Sequence, residues 1–209
     1  AINFVSKTGR TDPGNYARFE AGSYGYQKEQ LSTGGVVGDA DYYVSVLHNQ
    51  RDGYQDDTSN KGQGLVANFG YVFNPKLETR FFVRYREETL TQGNTLTKYQ
   101  LKHDPTSNAV PIGRKKDGST LLGSKTPYTF DDNAKLEVGL GYNDYPLLNG
   151  WRYSPSPQDW RSKDINLTLR YLRTGDTFLG LPSDSSVTFS NTQSYLADVK
   201  SHSRVTGAT

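Results

Sequence analysis

The stretch 65–86, LVANFGYVFNPKLETRFFVRYR, constrains the chain more than any other. Leu77, Thr79, Phe81, Val83 and Tyr85 alternate with Glu78, Arg80, Arg84 and Arg86, and Phe82 is the one exception. Leu65, Ala67, Phe69, Tyr71 and Phe73 repeat the alternation upstream, blurred by Val66 and Val72. A period of two places alternate side chains on opposite faces of a sheet. Asn74-Pro75-Lys76 is the turn, with Pro75 setting φ and offering no N–H to a ladder. The two strands are about ten residues long, against a usual five or six. A long strand with one apolar and one charged face suits a barrel wall between lipid and a polar interior. It also suits a half-solvated antiparallel sheet.

The spacing of connections separates these two. Strand-like alternation recurs at 15–23, 27–37, 42–48, 120–130, 136–142, 165–171 and 187–197, after a short piece at 3–6. The connections at 24–26, 38–41, 74–76 and 131–133 are short, whereas 48–63, 88–118 and 144–162 are long. A medium connection spans 174–185, and no stretch has a convincing helical period. Apart from the first, long loops fall at one end and short turns at the other. An up-and-down barrel of the outer membrane sorts its loops this way. The expected fold is therefore all-β: an antiparallel up-and-down meander of about nine strands forming part of a transmembrane β-barrel.

Composition excludes several other classes. The chain has 209 residues, enough for a sizeable domain. Its 15 Tyr, 9 Phe and 2 Trp argue against disorder. Cysteine is absent, which removes disulfides and thiolate metal sites. No apolar run is long enough for a membrane-spanning helix, although barrel strands leave no such run. Net charge is +2, and Arg114-Lys115-Lys116 is the longest basic run, so nucleic acid is not expected as a partner.

The opening AINFVSKTG resembles the end of the plug domain of TonB-dependent outer-membrane receptors, through Ala1, Ile2, Asn3, Phe4, Val5 and Lys7. Glu20-Ala-Gly-Ser-Tyr-Gly25 resembles their first barrel hairpin, and Arg51-Asp-Gly-Tyr54 the segment closing their third strand. Asn143-Asp-Tyr-Pro146 and Gly150-Trp-Arg-Tyr153 are similar to siderophore-receptor types. The resemblance implies residues 1–12 as plug end and linker, and 13–209 as the N-terminal portion of the barrel. The chain would then be an interior piece lacking most of the plug and the later strands. The resemblance also implies a Gram-negative outer-membrane location and lipid around the wall. The implied partners are a ferric siderophore outside and TonB acting through the missing plug region. Passive porin or adhesin barrels, and a soluble β-sheet binding module, are the alternatives.

Other patterns point nowhere catalytic. Gly62-Gln-Gly64-Leu-Val-Ala67 imitates a dinucleotide fingerprint, but a strand follows where a helix is needed. Gly118–Thr126 nearly matches a phosphate loop, with one Ser too many and Pro127 against a helix. His48, His103 and His202 lack metal-ligand spacing, so no metal or cofactor is expected. Asp56-Asp57 and Asp131-Asp132 read as loop and turn residues. No nucleophile elbow is present, and no enzyme activity is expected. The 144–161 region gathers Tyr145, Trp151, Arg152, Tyr153, Trp160 and Arg161, including both tryptophans. Rings and guanidinium groups in one concavity suit an anionic, aromatic-bearing iron chelate. These residues, with Arg114 adding positive field, are the expected ligand contacts. Packing of the loop, or a place in an interfacial aromatic girdle, is the competing role.

Overall fold

Alternation at period two becomes one sheet. The computed structural model describes residues 6–108, 113–150, 158–178 and 181–201. Nine strands follow in order: β1 (Gly14–Gly22), β2 (Tyr26–Val37), β3 (Ala40–Asp52), β4 (Ser59–Asn74) and β5 (Leu77–Gln92), then β6 (Gly113–Asp131), β7 (Ala134–Gly150), β8 (Gln158–Phe178) and β9 (Leu181–Ser201). Each strand pairs antiparallel with the next, so sheet order equals chain order. One helix, α1 (Lys98–His103), lies between β5 and β6.

The 65–86 hairpin forms as its pattern requires. Leu65 faces Tyr85, Ala67 faces Val83, Phe69 faces Phe81 and Tyr71 faces Thr79 across the β4–β5 ladder. Directly opposed residues share a face, so the two apolar rows merge into one surface. The register carries that surface onward. Leu31, Val46, Leu65 and Tyr85 lie in one row, and Val83, Leu122, Tyr142 and Ile165 in another. Asn74 Oδ1 accepts from Lys76 N at 2.9 Å, and Asp131 Oδ1 from Asn133 N at 2.9 Å. These Asx turns close both hairpins in two residues.

Burial is inverted relative to a soluble sheet. Large apolar side chains stand open on one face, including Phe19, Leu31, Phe69, Phe81, Leu140, Ile165 and Val187; Phe81 is 53% exposed and Val187 70%. On the other face the buried side chains among the described residues are Tyr43 and the polar Ser32, Asp41, Asn68 and Glu137. Ser32 donates to Ser45 Oγ at 2.8 Å, and Lys125 and Lys135 reach Glu137 Oε1 at 3.1 and 3.2 Å. Phe82, the exception in its strand, lies on this polar face opposite Asn68 and Gly123.

Several connections are shorter than their composition suggests. The loop expected at 48–63 shrinks to 53–58, because β3 and β4 continue pairing to Asp52↔Ser59. Of the region expected at 88–118, β5 takes 88–92 and β6 takes 113–118, and 93–108 holds α1, whose Thr97–Gln100 capping box is a local signal too short to leave a period. Of the region expected at 144–162, residues 144–150 belong to β7 and 158–162 to β8, and of the 174–185 connection, 174–178 belong to β8 and 181–185 to β9; 151–157 and 179–180 lie outside the described residues. Polar residues on both faces near the strand tops erase the alternation there, while the ladder itself continues. Shorter loops sharpen the expected sorting. The connections 38–39, 75–76 and 132–133 have two residues each, and 53–58 and 93–108 lie at the other end.

Candidate functional site

The most tightly organised polar site lies on the polar face near the two-residue turns. Val36, Asp41, Gly70, Arg80 and Lys125 occupy one row across β2 to β6. Arg80 reaches over β4 and donates Nη1 to Asp41 Oδ1 and Nη2 to Asp41 Oδ2, both at 2.9 Å. Its Nη1 also donates to Asn68 Oδ1 at 3.0 Å. Gly70 makes the crossing possible: a Cβ there would lie 2.5 Å from both Arg80 Nη2 and Asp41 Oδ2.

The segment before β1 is held on this site. Gly9 N donates to Asp41 Oδ1 at 3.2 Å and Arg10 Nε to Asp41 Oδ2 at 3.0 Å. Asn68 Nδ2 donates to the Lys7 carbonyl at 3.0 Å. Asp41 thus accepts from four donors, and its side chain is 0% exposed. Such satisfaction is what a buried carboxylate requires. The backbone approach is close: a Cβ on Gly9 would lie 2.1 Å from the Gly35 carbonyl, and one on Gly34 would lie 2.5 Å from the Asp12 carbonyl. Lys7 Nζ meets Asp12 at 2.8 Å and stands 5.8 Å over the Tyr43 ring. This pairing raises the Lys7 pKa, with the Asp12 hydrogen bond as the main cause. It lowers that of Asp12 through hydrogen bonds from Lys7 and then Thr11.

Sequence reading placed Asp41 in a turn. The structure puts it one residue inside β3, with its side chain on the polar face. The available signal was the hairpin register: Gly70 falls opposite Arg80, leaving room for that arginine to seek an acid on the next strand.

The residues of the 144–161 region divide between the two faces. Tyr145 opposes Ser162, and Trp160 opposes Leu147, on the polar side of the sheet. Arg161 lies on the other side opposite Pro146, and its Nε and Nη2 donate to Asp144 at 2.9 and 2.6 Å. Arg161 is therefore engaged as a cross-strand tie. Trp151, Arg152 and Tyr153 lie outside the described residues. Arg114 sits on β6 opposite Thr91 and Gly150 rather than in a loop. Gly62–Ala67 belongs entirely to β4 and Gly118–Thr126 to β6, so neither has a helix to cradle a phosphate.

The long-connection end holds a second ordered cluster. Gln55 Nε2 donates to the Asn94 and Ser107 carbonyls at 3.0 and 3.3 Å, and Asn108 Nδ2 to the Asp56 carbonyl at 2.7 Å. Asn108 Oδ1 accepts from Asn94 N at 3.2 Å, and Asp56 N donates to the Thr106 carbonyl at 2.8 Å. Residues 53–58 and 93–108 are thereby tied into one unit.

No protein-family model matches this chain, and no curated protein matches it in sequence. Solved structures do match. FpvA of P. aeruginosa, bound to a ferric complex of a heterologous pyoverdine, superposes with a TM-score of 0.77 at 14% identity, over 93% of this chain and 29% of that one. The ferric-catecholate import receptor Fiu of E. coli in its closed form gives 0.68 at 13%, over 98% and 36%. Its open form gives 0.65 at 14%, over 90% and 35%. The chain spans about a third of the length of the receptors it matches. At this identity the likeness establishes fold. The nine strands have the fold of one portion of the barrel of TonB-dependent siderophore receptors.

Proposed function

We propose that this chain is part of an outer-membrane receptor that imports a ferric siderophore with energy delivered by TonB. The observation that carries the reading is the inverted sheet with the 7–12 segment clasped to its polar face. Exposed apolar area of this extent is a liability in water and an asset against lipid chains. The soluble-module alternative leaves it unexplained. A passive porin leaves unexplained why a buried carboxylate, paired with Arg80 of the wall, also takes two donors, Gly9 N and Arg10 Nε, that hold a segment against the wall.

In this reading residues 1–12 join plug to barrel, and 13–209 form early barrel strands. The two-residue turns face the periplasm and the longer connections face outward. TonB acts through a plug region outside this chain. Tyr145 and Trp160, on the polar face near the outward end, together with Trp151, Arg152 and Tyr153 between their strands, are the proposed ligand contacts. Arg114 supplies positive charge on the same end, and Arg161 holds β7 to β8 beside them.

The test is uptake of radiolabelled ferric siderophores by a Gram-negative strain deleted for the parent receptor, with and without the gene restored. Import that requires both the gene and TonB supports the proposal. Unchanged uptake and growth on every siderophore offered would sink it. Diffusive uptake independent of TonB would indicate a passive pore instead.

A further inference from the structure

We propose that residues 7–12 form a releasable latch, a preformed turn that leaves the polar face of β2–β5 as a unit while the Asp41–Arg80 pair stays closed behind it. This rests on the receptor reading for the source of the pull, which arrives from the plug side of residue 7. It goes beyond that reading by naming which bonds open and which hold.

The wall half is complete without the segment. A carboxylate has about four lone-pair sites for donors. Arg80 uses one on each Asp41 oxygen through its two 2.9 Å bonds, and it is fixed in turn by Asn68 Oδ1 at 3.0 Å. The segment uses the other two, through Gly9 N at 3.2 Å and Arg10 Nε at 3.0 Å. The Arg80 side chain is 17% exposed and that of Arg10 is 41%, so the wall pair is the shielded one. When the segment leaves, water from the lumen side supplies the two donors withdrawn from Asp41. It also replaces the Lys7 carbonyl as acceptor for Asn68 Nδ2. No charge is stranded, because Asp41 keeps its guanidinium partner.

The segment half is equally self-contained. Thr8 N donates to Thr11 Oγ1 at 3.0 Å, Thr11 N to Thr8 Oγ1 at 3.1 Å, and Asp12 N to the Thr8 carbonyl at 2.9 Å. Lys7 closes the same turn onto Asp12 at 2.8 Å. These contacts lie within the segment, so the turn keeps its shape when it moves. It seats on the wall through a glycine: a Cβ on Gly9 would also lie 2.4 Å from the Tyr42 carbonyl, besides the clash with Gly35. Beyond the turn, Gly14 has a φ of 102°, and a Cβ built on it would have nothing within 4 Å. A glycine in that conformation, in open space between the segment and β1, is the pivot.

Hydrogen exchange of the intact receptor in detergent, read by mass spectrometry, tests this without siderophore or TonB. In the wild type, peptides covering 6–13 should exchange ahead of those covering β3–β5, as a local opening requires. Arg10→Ala removes one of the two donors, and Gly9→Ala keeps the turn from seating. Each should speed exchange of 6–13 by about three- to tenfold and leave β3–β5 unchanged. Wild-type exchange of 6–13 only together with β3–β5 would overturn the latch, since segment and wall would then open as one. Unchanged exchange of 6–13 in both variants would overturn it too, as would equal loosening of 6–13 and β3–β5 in both. Absence of siderophore uptake, by contrast, overturns the receptor reading alone.

Discussion

Asp41 and Arg80 pair through two parallel 2.9 Å hydrogen bonds across the whole width of an intervening strand, directly over Gly70. The pair links β3 to β5 and gives the 7–12 segment its only fully buried carboxylate anchor among the described residues. Removing one partner of a buried pair strands the other charge. Asp41→Ala should therefore destabilise the assembled barrel by about 3–5 kcal/mol, read as a lower melting temperature in detergent. It should also free 6–13 for protease. An unchanged melting temperature with 6–13 still protected would refute the role assigned to Asp41.

Gly70 and Gly139 both lie on the polar face, and only one of them leaves room for an ion pair. Gly70→Ala should cost about 1–3 kcal/mol, because its methyl group would displace Arg80 or Asp41. Gly139→Ala should be tolerated, since its nearest contact, Thr168 Cβ, is 3.6 Å away. Thermal unfolding of the two variants side by side checks this. Equal melting temperatures would count against the steric argument.

Val83 lies in the apolar surface, and Arg84 points to the polar face opposite Val66 and Leu121. Val83→Arg should impair assembly by roughly 2–4 kcal/mol if the residue sits near the bilayer midplane. Arg84→Val should assemble nearly as well as wild type. Heat-modifiable mobility after refolding into vesicles distinguishes the two. The opposite outcome would reverse the assigned facing.

The Gln55 amide should be separable from barrel stability. Gln55→Ala removes the hydrogen bonds to the Asn94 and Ser107 carbonyls and should loosen 93–108 by about 1–3 kcal/mol. Limited proteolysis should cut that connection faster while the melting temperature of the strands stays unchanged. Equal cleavage rates in variant and wild type would show that the tie does not hold the loop.

The Lys7–Asp12 pair predicts a pH window. Asp12 has a folded pKa below its ordinary 3.8, so its contribution is present above 3.8 and lost as pH falls through the lower folded value. Lys7 has a folded pKa above its ordinary 10.5, so its contribution is present below 10.5 and lost as pH rises through the higher folded value. Between 3.8 and 10.5 the pair should hold steadily. Protection of 6–13 in pulsed hydrogen exchange would follow that plateau, and a transition near neutral pH would contradict it.

Much of the sheet was legible because period two is a direct imprint of geometry. Leu77 to Tyr85 could be assigned to one face without knowing any neighbour. What escaped was set by pairs distant in sequence. Asp41 follows a Gly-Asp turn and looks like part of it; only the register of two further ladders brings Arg80 to it. The strand tops were also hidden, since Arg114 and Lys116 resemble loop residues until β5 is seen beside them. Arg161 looked available for a ligand because its partner, Asp144, lies 17 residues away on the preceding strand.

Strand length grows along the sheet from 9 residues in β1 to 21 in β8 and β9. A tilted strand crosses a bilayer in about 9–11 residues. The first strand is scarcely more than one crossing, and the last two are about double. With two-residue turns at 38–39, 75–76 and 132–133, little of the excess can be stored at the short-turn end. In the orientation proposed above, the outward rim would be a ramp, low beside β1 and high beside β9. A bulky solute would then meet a parapet beside β9 and an open sill beside β1.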